Sequence, residues 1–190
     1  MIHPEAWAYI FLSLLGMERM AEVLIAGRNS QWILRRGGKE HAGPFSRVIF
    51  FVHGLWFMSF ALEAWLRGAL PLIDLRGLAA VAIALQTLRY WCIAALGRFW
   101  NTRIMVLPGA PLIRHGLYRW IKHPNYLIVL VEIPLYPAFF GCWFTAALFG
   151  LLNIWVLKKR IGQENLALQS AGSGCPPSNP WQCRNRFYLN

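Results

Sequence analysis

A chain of 190 residues that is 57% hydrophobic and 14% charged falls well below the roughly 25% charged residues of an average soluble domain. With ten tryptophans and a mean hydropathy of +0.40, it reads as a membrane protein. The net charge of +11 would suit a nucleic-acid partner, but the cations sit in short loops between apolar runs, which excludes that reading and matches how bacterial inner-membrane proteins orient themselves. The cysteines Cys92, Cys142, Cys175 and Cys183 make no CxxC and no Cys/His cluster, so no metal site is expected. The N-terminus lacks a basic flank, and Glu18 and Arg19 interrupt its apolar run, so no cleavable signal peptide is expected.

The first predicted span is Ala6 to Ala26, and it carries Glu18, Arg19 and Glu22. Charges at membrane depth usually face an interior site, although an ion-paired helix end at the interface would look the same. Gly27 to Arg47 reads as a polar loop, with five cations against Glu40. A second span, Arg47 to Leu66, holds His53 and Glu63; His53 is either a packing histidine or a residue facing the substrate. The segment Arg67 to Arg76 has little net charge and reads as external. A third span, about Gly77 to Gly97, contains Gln86 and Arg89, which fit helix–helix hydrogen bonding and ligand contact equally.

Arg98 to Lys122 is basic and holds no acid, so it reads as cytoplasmic. Two short apolar helices follow, Tyr126 to Pro137 and Cys142 to Leu157. At about 1.5 Å per residue neither comfortably crosses a bilayer upright, which predicts a tight hairpin packed on the other helices. Lys158, Lys159 and Arg160 return the chain to the cytoplasm. The expected fold is all-α, a polytopic membrane protein with about five transmembrane helices, the N-terminus out and the C-terminus in. Residues 1–169 form one integral-membrane domain and 170–190 a Gly/Pro-rich tail expected to be disordered.

The stretch Gly116-Leu-Tyr-Arg-Trp-Ile-Lys-His-Pro-Asn-Tyr126 organises the rest. Pro124 pushes its predecessor out of the helical region, so a helix is predicted to begin near it. His123 and Asn125 then lie at a helix N-terminus, where free N–H groups attract anionic groups. Tyr118, Trp120, His123 and Tyr126 can surround a flat or cationic ligand, or they can form an aromatic belt with Arg119 and Lys122 at lipid headgroups. Arg160 and Glu164 are four residues apart, so they share a helix face, either as a surface ion pair or as parts of one site.

With Gly116, Tyr118 and Arg119 running into Lys122 to Tyr126, and with Arg160 and Glu164 after two helices, the chain resembles the isoprenylcysteine carboxyl methyltransferase family and its bacterial relatives. The resemblance covers roughly residues 98–168. It implies a membrane enzyme using S-adenosylmethionine, with 97–169 as the cofactor-binding half. It also implies a donor pocket of Ala110, Pro111, Leu112, Ile113, Tyr118, His123, Pro124, Asn125 and Tyr126. Glu164 would hold the donor's ammonium and Arg160 the acceptor's anionic oxygen. His53 and Gln86 are further candidates for substrate contact. Lys122 stands where an Arg is more usual, and Asn165 where many members carry a second Glu.

An ionised carboxylate acceptor needs no general base, and the planar fork of an Arg suits it. No GxGxxG follows a strand, which excludes the soluble Rossmann-type methyltransferase. The leading expectation is methyl transfer, facing the cytoplasm, to a lipophilic or prenylated acceptor: a prenylcysteine-like carboxylate, or a lipid enol or phenol such as an alkylpyrone. Membrane lipids are the other expected partners. The alternatives are a phospholipid-type N-methyltransferase, against which Arg160 argues, and a small membrane-interaction protein without enzymatic activity.

Overall fold

The computed structural model describes residues 6–171 except positions 69, 73, 111, 112 and 114. Five long helices dominate: α1 (Ala6–Leu34), α2 (Gly43–Arg67), α3 (Leu75–Leu96), α4 (Pro124–Phe139) and α5 (Trp143–Ala171). Two of them, α2 and α3, are long and apolar enough to cross a membrane by length and composition. The outer face of α2 carries Phe50, Phe51, Met58, Trp65 and Leu66, each more than 60% exposed. An apolar surface of that extent calls for an apolar environment.

The all-α expectation needs one correction. Strand β1 (Lys39–His41) pairs antiparallel with β2 (Ile104–Val106), with Glu40 opposite Met105. The Gly27–Arg47 loop is correspondingly shorter than expected, because α1 continues to Leu34. Tertiary bonds hold that extension. Asn29 Nδ2 donates to the Trp100 carbonyl at 2.7 Å, and Asn101 Nδ2 donates to Ser30 at 2.8 Å. Gly38 turns the chain between α1 and β1. A Cβ there would overlap Ile33 Cγ2 and come within 3.0 Å of the Val106 carbonyl.

A second correction concerns α5, which extends fourteen residues beyond Leu157 rather than ending there. Lys158 and Lys159 lie on its exposed side while Arg160 points inward, so the helix passes through the basic cluster. Helix α4 begins at Pro124 with His123 as its N-cap residue, as the proline predicts. Residues 140–142 join α4 to α5, and the pairs Asn153–Val129 and Arg160–Tyr126 show the two running antiparallel. Gly150 lets them approach closely, since a Cβ there would meet Pro134 Cβ at 3.2 Å.

Two polar anchors explain side chains that look misplaced in apolar spans. Glu63 of α2 accepts the backbone N–H groups of Phe144 at 3.1 Å and Thr145 at 2.7 Å, satisfying free donors at the start of α5. Trp56 Nε1 donates to the Ile133 carbonyl at 2.9 Å. The helical partner of that carbonyl would be the N–H of residue 137, which is proline and has none. The main core gathers around these anchors, with Phe60, Tyr136, Phe140 and Cys142 almost fully buried. The expectation for the 170–190 tail falls, beyond Ala171, outside the described residues.

Candidate functional site

Two cavities meet at α4 and α5. The larger, about 1090 Å³, is mostly apolar and runs among α1, α2, α4 and α5. The smaller, about 170 Å³, lies under β2 and the start of α4. Asn125, Tyr126 and Arg160 line both, together with Trp100, Asn101 and Arg103. The wall between the cavities is therefore polar and carries the motif residues.

At that wall Tyr126 donates its hydroxyl proton to Glu164 Oε2 at 2.5 Å and accepts from Arg160 Nε at 2.9 Å. Arg160 Nη2 donates to the Thr102 carbonyl at 2.7 Å, so two donors of the guanidinium are fixed. Arg160 is buried, 8% exposed, which disfavours the surface ion pair. Among the described residues it makes no direct ion pair with Glu164; the Tyr126 hydroxyl stands between them.

Around the smaller cavity the His123 ring stacks on Tyr126 with centroids 5.1 Å apart, and its Nδ1 is 3.8 Å from Glu164 Oε2. Burial holds His123 below its ordinary range; the Glu164 carboxylate opposes this and Lys122 adds to it. The imidazole is therefore neutral at pH 7. Burial also pushes the Tyr118 hydroxyl far up, so it stays protonated. His123 Nε2 and Asn125 Oδ1 are buried and have no hydrogen-bond partner among the described residues. Lys122 Nζ donates to Asn165 Oδ1 at 2.8 Å, so the two departures from the family pattern bond to each other.

Most of the candidate residues converge. Ile113, Tyr118, His123, Asn125, Tyr126, Arg160 and Glu164 all line the smaller cavity. Pro124 is buried in the first turn of α4 and lines neither cavity. Ala110 closes a turn, its N–H donating to Leu107 O at 3.2 Å, also away from both. Pro111 and Leu112 lie outside the described residues. His53 lines the larger cavity, with Nδ1 2.9 Å from the Ile49 carbonyl, which leaves Nε2 to serve as the second hydrogen-bonding atom. Gln86 lines neither cavity and instead accepts from Arg19 at 3.3 Å.

The sequence reading missed Glu132, which lines the larger cavity and pairs with Arg89. An acid alone in the apolar run 126–137 was the available signal. It also missed Thr102, whose carbonyl orients Arg160 and leaves no mark in sequence. Arg19 and Glu22 pair at 2.9 Å on the same cavity wall, so these two charges of α1 face the interior.

Residues 78–170, which span α3 to α5 and every candidate of the smaller cavity, match the model of the "Isoprenylcysteine carboxyl methyltransferase (ICMT) family". The chain is 37% identical over 161 residues to the uncharacterised protein YpbQ of Bacillus subtilis, covering 85% of this chain and 96% of that one. It is 24% identical over 152 residues to an uncharacterised protein of Haemophilus influenzae, covering 79% of this chain and 88% of that one. No solved structure matches it.

Proposed function

The chain belongs to the isoprenylcysteine carboxyl methyltransferase family, and from that membership we propose that it is an S-adenosylmethionine-dependent O-methyltransferase acting on a lipophilic acceptor with an anionic oxygen. The observation that carries this reading is the Arg160–Tyr126–Glu164 chain in the wall shared by a large apolar cavity and a small polar one. Transfer between two substrates needs such a wall, with one reactant on each side and water kept out.

The smaller cavity fits the amino-acid end of the donor. Its unmet buried acceptor, Asn125 Oδ1, and the Glu164 carboxylate suit an ammonium. Its volume of about 170 Å³ is below the usual range for whole ligands, so it takes the amino-acid end of the donor and not the whole molecule. When bound, the donor supplies an electrophilic methyl group on a sulfonium. The stacked faces of His123 and Tyr126 favour a nearby cation, and a neutral His123 adds no repulsion.

On the other side Arg160 orients and neutralises the acceptor's oxygen, while Tyr126 and Thr102 hold the guanidinium plane in place. A carboxylate, acidic enol or phenol on a long apolar body suits the larger cavity. An amine acceptor does not suit a buried Arg. Five spans with the basic loops in the cytoplasm, in a bacterial inner membrane, complete the reading and put the motif face inside the cell. The test is a calorimetric titration of detergent-solubilised protein with S-adenosylmethionine, followed by labelled methyl transfer into a lipid extract. Absence of donor binding sinks the reading; donor binding with label only on amines moves it to the N-methyltransferase class.

A further inference from the structure

The inner end of the larger cavity plays no part in holding the reacting oxygen. Arg19 and Glu22 of α1, Arg89 of α3 and Glu132 of α4 meet there, with Glu18 of α1 3.7 Å from Arg19 beside them. Arg89 pairs with Glu132, and Arg19 lies 2.9 Å from Glu22 and 3.8 Å from Glu132. Glu22, Arg89 and Glu132 are each more than nine-tenths buried, and together with Arg19 they line the cavity. Two atoms of the group lack a hydrogen bond among the described residues: Oε1 of Glu22 and Nε of Arg89. They lie 3.7 Å apart, too far to bond each other well. One atom on each residue is thus left without a hydrogen bond in a buried site, which is costly.

On the reading that this cavity holds the methyl acceptor, we infer that its inner end is a second recognition point that binds a hydroxyl on the acceptor's chain. A hydroxyl has one donor and two acceptor lone pairs, so it can donate to Glu22 Oε1 and accept from Arg89 Nε together. A carbonyl can only accept and leaves Glu22 unmet. An anion would be repelled by Glu22 and a cation by Arg89, so neither suits a point between two atoms of opposite charge. Helix α4 sets the spacing. Tyr126 at the reacting wall and Glu132 at the inner end are six residues apart on it, about 9 Å at the helical rise. Val129 and Ile133 line the cavity along the same helix, so the intervening chain is apolar. The acceptor class is an amphiphile with the methylated oxygen at its head and a hydroxyl about 9 Å along its tail. A plain isoprenoid tail offers these atoms nothing.

The full chain in detergent is titrated calorimetrically, without donor, with palmitate and with palmitate hydroxylated at its eighth carbon. The hydroxylated acid is expected to bind about tenfold more tightly or better, the scale of one hydrogen bond to a charged group. Replacing the pair together, Glu22→Leu with Arg89→Met, leaves Arg19 facing Glu132 and should erase the preference while keeping palmitate affinity. Equal affinities in the wild type overturn the inference, as does failure of both acids to bind. If the double variant does not fold, the wild-type comparison decides alone. A donor titration in the same detergent separates the two readings. A hydroxyl preference without donor binding keeps the recognition point as a lipid site and removes the methyltransferase. Donor binding without a hydroxyl preference does the reverse.

Discussion

Tyr126 gives its hydroxyl proton to Glu164 at 2.5 Å while accepting from Arg160 at 2.9 Å, so one phenol couples the two ionised residues at the wall. Tyr126→Phe keeps the ring, and with it the stack on His123, but removes both bonds. Glu164 and Arg160 then lose a common anchor. Hydrogen bonds to charged groups are worth about 1.5–3 kcal/mol, so donor affinity and transfer rate together should fall roughly tenfold to a hundredfold. Calorimetry and a labelled-methyl assay read the two effects. An unchanged rate would mean that Tyr126 is only packing.

Arg160 and Glu164 should separate by role. Glu164→Gln keeps shape and loses charge, so S-adenosylmethionine affinity should drop by about 1–3 kcal/mol. Arg160→Lys keeps charge and loses the planar fork, so donor binding should survive while transfer falls about 10²-fold or more. If both variants behave as wild type, the pair is not part of the chemistry. If Arg160→Lys alone is silent, the acceptor oxygen is not anionic where Arg160 meets it.

How much of this was legible in sequence depended on how local each signal was. Pro124 fixed the start of α4 through its own ring, and His123, Asn125 and Tyr126 followed from it at known helical positions. Arg160 and Glu164 shared a face by spacing alone, but the phenol between them comes from another helix and could not be read. Gly27 and Arg28 looked like a break, whereas Asn29 and Ser30 find partners near residue 100 that carry α1 onward. The β1–β2 ladder joins two three-residue strands distant in sequence, too short to show a period. Gln86 fitted helix–helix bonding and ligand contact equally in sequence, and its carbonyl answers an arginine of another helix.

The depressed His123 sets a pH dependence. Its folded value lies below the unfolded value of about 6.5, so the unfolded chain binds the extra proton first and stability falls as pH drops through that range. Protonation would also place a cation beside a cationic donor. Donor affinity should be flat from about pH 8 to 7 and decline below about pH 6.5, the ordinary histidine range. His123→Gln should flatten the decline. A wild-type profile that already declines above about pH 6.5, or one that rises on acidification, contradicts the neutral imidazole.

Topology follows from the basic segments 27–47 and 98–122, which should face the cytoplasm while 67–76 faces out. Single cysteines introduced between positions 30 and 40, in a background with the native cysteines removed, should resist an impermeant thiol reagent applied from outside intact cells. One in the outer connection, for example replacing Asp74, should label. Efficient labelling in the first group would invert the arrangement.

Trp56 and Pro137 make a testable pair because the tryptophan serves a carbonyl that the proline leaves unserved. Trp56→Phe removes the indole N–H and leaves the buried Ile133 carbonyl without it, in addition to losing volume. The unmet carbonyl alone should cost about 1–3 kcal/mol. Pro137→Ala restores a backbone N–H four residues after Ile133, so that carbonyl regains a helical partner. In the alanine background the same Trp56→Phe change should cost less, by about 1 kcal/mol, with the volume penalty common to both arms and cancelling in the cycle. Thermal unfolding of the four proteins in one detergent gives the coupling. Additive losses would show that Trp56 acts through its packing alone and that the carbonyl finds another donor.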